Sequence, residues 1–237
     1  MDMDNILIDG LEYVNWNRDL FIKAHAGGLT AIHATLVYWE DTKESLKKID
    51  YWDNLIQSNS DIIMHVKKSS DILDAKKTNK IGIIYGFQNS APIANDIFLV
   101  EKFFSRGLRF MQLTYNNQTP LAGGCYEKND SGVSRFGEMV IEEMNRLGMI
   151  VDLSHAGRQT CLDAIKFSKK PVAISHANPN FFHQSIRNID DDVLKQLANK
   201  NGFIGLSLYP YHLKNHGDCK LEDFCEMIKQ LVNMIGA

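Results

Sequence analysis

The chain has 237 residues, of which 44% are hydrophobic and 23% are charged, and its formal net charge is −3. This is the composition of a soluble globular protein that is long enough to bury a sizeable core. A weakly acidic chain without a basic patch argues against nucleic acid as a partner. No apolar run approaches the roughly 20 residues that a membrane-spanning helix needs, and the acidic first residues lack the features of a signal peptide.

The cysteines are scattered along the chain without the CxxC spacing of metal or redox motifs. They are Cys125, Cys161, Cys219 and Cys225. Reduced thiols in a cytosolic protein are the usual interpretation of such a distribution. We therefore expect a cytoplasmic protein that binds neither nucleic acid nor membranes.

Apolar runs of strand length alternate along the chain with amphipathic stretches. The predicted strands are Ile6–Leu11, Leu29–Val37, Ile81–Phe87, Phe110–Tyr115, Met149–Ser154, Pro171–Ser175 and Phe203–Leu208. The predicted helices are Leu20–Ala26, Asp41–Ser58, Ser70–Lys77, Ile93–Arg106, Phe136–Leu147, Arg158–Ser168, Asp190–Lys200 and Leu221–Met234. Strands that alternate with helices predict βα units around a parallel sheet. Because no linker-like segment interrupts the series, we expect one domain over residues 1–237.

Two parallel architectures fit seven strands. An open doubly wound sheet usually has a glycine-rich phosphate loop after its first strand, but the turn here, Asp9–Tyr13, does not match GxGxxG. A closed (β/α)8 TIM barrel needs an eighth strand and typically about 250 residues. We predict the α/β fold of a (β/α)8 barrel with seven of its eight strands present, and hence a domain that is incomplete at its C-terminal end.

Two predicted strands end in the same dipeptide. Met149–His155 and Pro171–His176 are apolar runs that close with Ser-His. Neighbouring parallel strands lie roughly 4.8 Å apart, and their C-terminal tips are where α/β folds place their chemistry. Two imidazoles side by side at such a rim would begin a metal site.

Other polar residues follow the predicted strands. They are Asp9 and Glu12, His33, Gln88, Tyr115 with Asn116, and Tyr209. We expect His33 to pack in the core or at the rim, Glu12 to point away from a ligand position, and Asn116 to form a turn. Asp152 lies inside an apolar strand, where a carboxylate needs a partner, so it is a candidate for orienting a neighbouring group. Arg187 lies in a polar loop, and its planar fork suits a substrate carboxylate or phosphate.

Several segments together resemble the renal (membrane) dipeptidase family of zinc peptidases. The main matches are Gly148–His155, Pro171–Asn178 and Arg187–Leu194. Further matches are Leu113–Tyr115 with Thr119–Pro120, Gly132–Gly137 and Glu143–Gly148. The resemblance runs from about Ile6 to Ala237. It implies a (β/α)8 fold, a two-zinc site that activates water to attack the peptide bond of a dipeptide, and a homodimer, which is common in the family.

The resemblance also assigns roles to single residues. His155 and His176 fall on the two histidines that hold the second zinc, and Arg187 falls on the arginine that binds the substrate carboxylate. Tyr115 stands where the family has a substrate-binding histidine, and Tyr209, at the tip of the seventh strand, joins it as a substrate-binding candidate. The catalytic aspartate of the family is expected beyond Ala237.

The ligands of the first zinc are replaced in this chain. The His-x-Asp pair of the family reads here as Leu11-Glu12-Tyr13, and the bridging glutamate falls near Gly86, with Gln88 the nearest polar residue. Two cations roughly 3.5–4 Å apart need anionic ligands between and around them. We therefore predict one zinc ion rather than two, held by His155, His176 and a carboxylate from the eighth strand, with a position left open for water.

Two functions remain in view. The first is a metal-dependent hydrolase of the dipeptidase type, which the retained histidine pair and Arg187 favour. The alternative is a catalytically altered or silent relative that binds a small carboxylate-bearing molecule, which the replaced ligands at Leu11, Tyr13 and Gly86 favour. Fold alone does not decide between them. An aspartate on the eighth strand would favour hydrolysis.

Overall fold

The structure is a computed structural model that describes residues 5–214 and 218–236. Strands and helices alternate along these residues. The strands are β1 (Ile8–Glu12), β2 (Ala31–Val37), β3 (Ile63–His65), β4 (Ile81–Phe87), β5 (Leu108–Gln112), β6 (Ile150–Asp152), β7 (Ala173–Ala177) and β8 (Phe203–Leu206). The α-helices are α1 (Arg18–Ala26), α2 (Thr42–Ser58), α3 (Ser69–Lys77), α4 (Phe98–Ser105), α5 (Arg135–Leu147), α6 (Arg158–Phe167), α7 (Asp191–Asn199) and α8 (Leu221–Ile235). Short 3-10 turns occupy Ala91–Ile93 and Pro210–His212.

The chain divides into two compact units. The first comprises Met1–Met111 and Leu147–Met149, and the second comprises Gln112–Arg146 and Ile150–Ala237. The expectation of a single domain stays a prediction.

The first unit is built on parallel strand pairs around β4. β2 pairs with β1 on one side and with β4 on the other, and both β3 and β5 pair with β4. Every residue of β2 and β4 is buried. Strands buried on both faces read as near-continuous apolar runs, which is why the sequence pattern identifies these two strands clearly.

The second unit carries three parallel strands and the helices that follow them. β7 pairs with β6 at Asp152 and Ala173, and with β8 at Ile174 and Ile204. Helix α7 packs against both α6 and α8. Because β6 and β7 are parallel neighbours, the residues that follow them leave the sheet at the same edge.

Helix α6 begins shortly after β6 and is capped from a distant loop. The Asp130 carboxylate accepts hydrogen bonds from the backbone N–H groups of Gln159 (2.5 Å) and Thr160 (3.3 Å). A Cβ at Gly157 would lie 2.3 Å from the nearer Asp130 oxygen, so only glycine leaves room for this cap. The cap satisfies donors at the helix start that have no partner within the helix.

The predicted elements are largely present, but several bounds shift: the strand predicted at Phe110–Tyr115, for example, is β5 (Leu108–Gln112). The structure adds β3, which the sequence analysis did not predict because a three-residue strand is too short to show a period. Helix α4 begins at Phe98 rather than at Ile93, because Ala94 adopts a left-handed φ of 46° between the 3-10 turn and the helix. Within the described ranges, no helix is long and apolar enough to cross a membrane.

Candidate metal centre

The structure brings His155 and His176 together at the ends of β6 and β7. Their Nε2 atoms lie 2.9 Å apart, and their ring centroids are separated by 4.9 Å. His155 follows β6 and His176 is part of β7. The two imidazole rings therefore lie next to each other, as the sequence pattern predicts, and their Nε2 atoms face each other.

His155 is held by three hydrogen bonds in a strained backbone conformation. Its φ is 66°, in the left-handed region, which is uncommon for residues other than glycine and clusters at functional sites. Its carbonyl accepts from the Cys125 N–H (2.9 Å) and from the Thr114 hydroxyl (3.1 Å). Its Nδ1 lies 2.6 Å from Asn116 Oδ1. The backbone contacts fix the residue, and the Asn116 contact fixes the ring.

His176 is held through a serine and a buried aspartate. Its Nδ1 lies 2.9 Å from Ser175 Oγ, which in turn lies 2.5 Å from Asp152 Oδ2. Asp152 is completely buried and accepts from the backbone N–H groups of Ser154 and Ser175 and from Gln112 Nε2. Asp152 thus contacts His176 through Ser175, a geometry that fits the hypothesis that Asp152 orients a neighbouring group.

These contacts determine which nitrogen of each ring carries the proton. An amide oxygen only accepts, so His155 Nδ1 donates to Asn116. The Ser175 hydroxyl donates to Asp152, which is surrounded by donors, so Ser175 Oγ accepts from His176 Nδ1. When the rings are neutral, both Nε2 atoms therefore present lone pairs. Two lone pairs at 2.9 Å need a proton or a metal ion between them, and neutral imidazole Nε2 is a common zinc ligand.

Arg187 is buried beside this pair. It is only 4% exposed, and its Nη2 donates to the His176 carbonyl at 3.1 Å. Burial lowers the pKa of the Arg187 guanidinium below its ordinary value. Burial, and after it the Arg187 charge, lowers the pKa of His155 well below its ordinary range, which disfavours a second proton on that ring. A buried cation calls for an anionic partner, such as a carboxylate on a ligand.

The two tyrosines assigned to substrate differ in position. The Tyr115 ring stacks on His155 with centroids 4.3 Å apart. Tyr209 is 50% exposed, and its ring contacts are with Tyr211 (5.4 Å) and His212 (4.7 Å). The structure thus brings His155, His176, Tyr115 and Arg187 together, and it places the Tyr209 ring against Tyr211 and His212.

The described residues supply an incomplete ligand set. Among residues 5–214 and 218–236, no group of three or more His, Cys, Asp or Glu side chains is arranged to hold a metal ion. Two nitrogen donors are fewer than the three protein ligands of a typical catalytic zinc. The expectation of a single zinc ion stays a prediction.

In the first unit, His33 fills the space next to Gly86. His33 Nδ1 donates to the Gly10 carbonyl at 2.7 Å, and its ring stacks on Phe110 at 4.3 Å. A Cβ at Gly86 would lie 1.7 Å from His33 Nε2. A glutamate at position 86 would therefore require His33 to move.

Glu12 shares its surroundings with Asp9 at the end of β1. Burial, and after it the Asp9 charge, raises the pKa of Glu12 to about 7. The pairing of β1 with β2 shifts register between these two residues, and such a bulge changes the face to which a side chain points. The regular alternation that the sequence analysis assumed for Glu12 does not hold there, while its role stays untested.

Sequence reasoning missed Asn116 and Ser175 as supports of the histidines. It interpreted Asn116 as a turn residue, and its φ of 64° fits such a place. The signal that could have identified Ser175 is the Ser-His dipeptide that both apolar runs share. The Asp152 carboxylate inside an apolar strand was the stronger signal, because a buried carboxylate must have partners.

Comparisons with known proteins agree on the kind of protein. The sequence model of one family, described as membrane dipeptidase (peptidase family M19), matches residues 19–237. An uncharacterized dipeptidase of Schizosaccharomyces pombe is 29% identical over 201 residues, which are 82% of this chain and 48% of that protein. The chain thus spans about half the length of this curated relative.

Solved structures show the same fold. An amidohydrolase from Pseudomonas aeruginosa is 40% identical with a TM-score of 0.95, and the match covers 99% of this chain and 72% of the other. A metallopeptidase of family M19, dipeptidase AC, has a TM-score of 0.90 at 16% identity, over 98% of this chain and 81% of its own. These likenesses confirm the predicted (β/α)-barrel fold class.

Proposed function

Because the chain belongs to the membrane dipeptidase family, peptidase family M19, we propose that it is a metal-dependent hydrolase that cleaves dipeptides or similar small amides with a free carboxylate. One observation carries the metal dependence. The Nε2 atoms of His155 and His176 lie 2.9 Å apart, and the hydrogen bonds behind both rings leave each Nε2 as an electron-pair donor.

His155 and His176 would hold one zinc ion through their Nε2 atoms. A bound zinc ion supplies a Lewis acid that activates water at neutral pH. We propose one ion rather than two, because the resemblance places the ligands of the other zinc at Leu11, Tyr13 and Gly86, none of which offers a carboxylate or an imidazole. The resemblance assigns the third ligand and the catalytic aspartate to no residue of this chain.

Arg187 would bind the substrate carboxylate. Its guanidinium is buried, and one of its N–H groups is engaged by the carbonyl of His176, so its orientation is fixed relative to a proposed metal ligand. A carboxylate held by the remaining N–H groups would leave the neighbouring amide close to the histidine pair. Tyr115, stacked on His155, would form an apolar wall of the same site, and we retain Tyr209 as a substrate contact at its outer side.

The proposal extends to the setting of the reaction. We propose a cytoplasmic enzyme in one domain that acts on small molecules rather than on nucleic acid or membranes, and that forms a homodimer as relatives in the family commonly do. The scattered cysteines and the weakly acidic charge support the first part. The resemblance supports the homodimer.

The test is hydrolysis of a panel of dipeptides by the purified protein with added zinc or manganese. We expect turnover of at least one dipeptide. A chelator or the His176→Ala change should abolish this turnover, whereas His25→Ala, a histidine change on α1, should retain it. Arg187→Lys should raise KM about tenfold or more, because a lysine cannot bind a carboxylate through a planar fork. Turnover no higher than that of His176→Ala would refute the peptidase and favour the silent binding scaffold.

A further inference from the structure

We propose that Asn116 is a positioning residue that keeps His155 in the tautomer able to bind a metal ion, and that the segment Gly124–Tyr126 holds both residues in place. This inference rests on the metal role of His155 in the proposed function and deepens it. Asn116 itself need touch neither metal nor substrate.

The contacts of the Asn116 amide define its orientation. Its Oδ1 lies 2.6 Å from His155 Nδ1 and 3.7 Å from Cys125 Sγ. The Cys125 thiol donates to this oxygen. Both neighbours are then donors, and the amide places its oxygen, its only acceptor, towards them.

The backbones of Asn116 and His155 are tied to one short segment. Both residues have left-handed φ angles, 64° and 66°. The N–H of Cys125 donates to the His155 carbonyl and the N–H of Tyr126 donates to the Asn116 carbonyl, each at 2.9 Å. A Cβ at Gly124 would lie 2.0 Å from the Asn116 carbonyl oxygen. Two consecutive N–H groups and one glycine therefore set the distance between the amide and the imidazole.

The tautomer matters because a neutral imidazole has one proton to place. With an acceptor at Nδ1 the proton stays there, and Nε2 keeps its lone pair for a metal ion. Without that acceptor, the proton can move to Nε2 and the ring can rotate, and both changes compete with metal binding. Hydrogen-bond partners behind metal-binding histidines typically contribute 10- to 100-fold in affinity.

The experiment is a zinc affinity measurement by competition with a chromophoric chelator. We expect Asn116→Gly to weaken zinc binding by about 10- to 100-fold, and Asn116→Asp to stay within about threefold of wild type because it restores an acceptor. Glycine is preferred to alanine because it adopts a φ of 64° without strain. Asn117→Gly, the same change at the exposed next residue, should match wild type.

The outcomes separate this inference from the proposed function. If wild type binds zinc and Asn116→Gly binds it equally well, or if Asn116→Asp is as weak as Asn116→Gly, the positioning role is wrong and the metal role stands. If wild type binds no zinc, the metal role fails and the inference fails with it. Nitrogen-15 NMR of wild type needs no variant to fold: a protonated Nδ1 on His155 is expected, and an unprotonated Nδ1 would overturn the proposal.

Discussion

At the scale of single residues, the two histidines at the centre of the site are supported differently. Asn116 supports His155 across 39 residues of chain, while Ser175 supports His176 from the adjacent position and passes the contact to Asp152. The sequence pattern could predict that the two rings meet, because parallel strand ends share an edge. It could not predict the tautomers, because they depend on loop residues whose hydrogen bonds have no local pattern.

Replacement of Ser175 by alanine removes the link between Asp152 and His176. His176 Nδ1 then loses its acceptor, and we expect zinc affinity to fall by about tenfold or more. The free energy of unfolding should fall by about 1 kcal/mol, the usual net loss for a hydrogen bond in a buried network. Chelator competition and chemical denaturation measure the two effects, with Ser58→Ala on the exposed face of α2 as the control. Unchanged zinc affinity in Ser175→Ala would show that the serine does not orient His176.

At the scale of elements, burial decides what the sequence reveals. The predicted strand Ile81–Phe87 appears with the same bounds as β4, because all of its residues are buried and apolar enough to stand out. β3 escaped prediction, although it is anchored by tertiary contacts. Its His65 ring lies 3.9 Å from that of Tyr85, and a Cβ at Gly107 would lie 2.2 Å from His65 Cε1. Such contacts involve residues that are distant in sequence, so they produce no periodic pattern in the sequence of the strand itself.

The burial of His65 predicts a pH dependence of stability. Burial lowers its pKa to about 4, from an ordinary value of 6.5. Between these values the unfolded chain binds a proton that the folded chain does not, so this contribution is present above pH 6.5 and is lost as the pH falls towards 4. The loss is on the order of 2 kcal/mol after allowance for partial exposure.

Urea unfolding of wild type and His65→Gln at a series of pH values isolates this contribution. The wild-type free energy of unfolding should fall more steeply than that of the variant between pH 6.5 and 4, and the curves should run parallel below pH 4. Parallel curves over the whole range would mean that His65 titrates alike in the folded and unfolded chains.

At the scale of the whole molecule, the resemblance carries most of the prediction. The order of the Ser-His strand ends, the Arg187 loop and the strand-helix alternation led to the correct family and fold class, as the match over residues 19–237 confirms. What the resemblance could not show is how the chain fills the replaced ligand positions. At Gly86, the His33 ring occupies the space that a side chain at this position would need. A larger side chain at position 86 would therefore require a different packing around His33 in the first unit.

The central claim is that His155 and His176 together hold one zinc ion. The most direct measurement is the zinc content of the purified protein after equilibrium dialysis, for wild type, His155→Ala and His176→Ala. We predict one zinc ion per wild-type chain and a large loss in each variant, while His25→Ala retains the wild-type content. Two zinc ions per wild-type chain, or an unchanged content in His155→Ala, would contradict the claim.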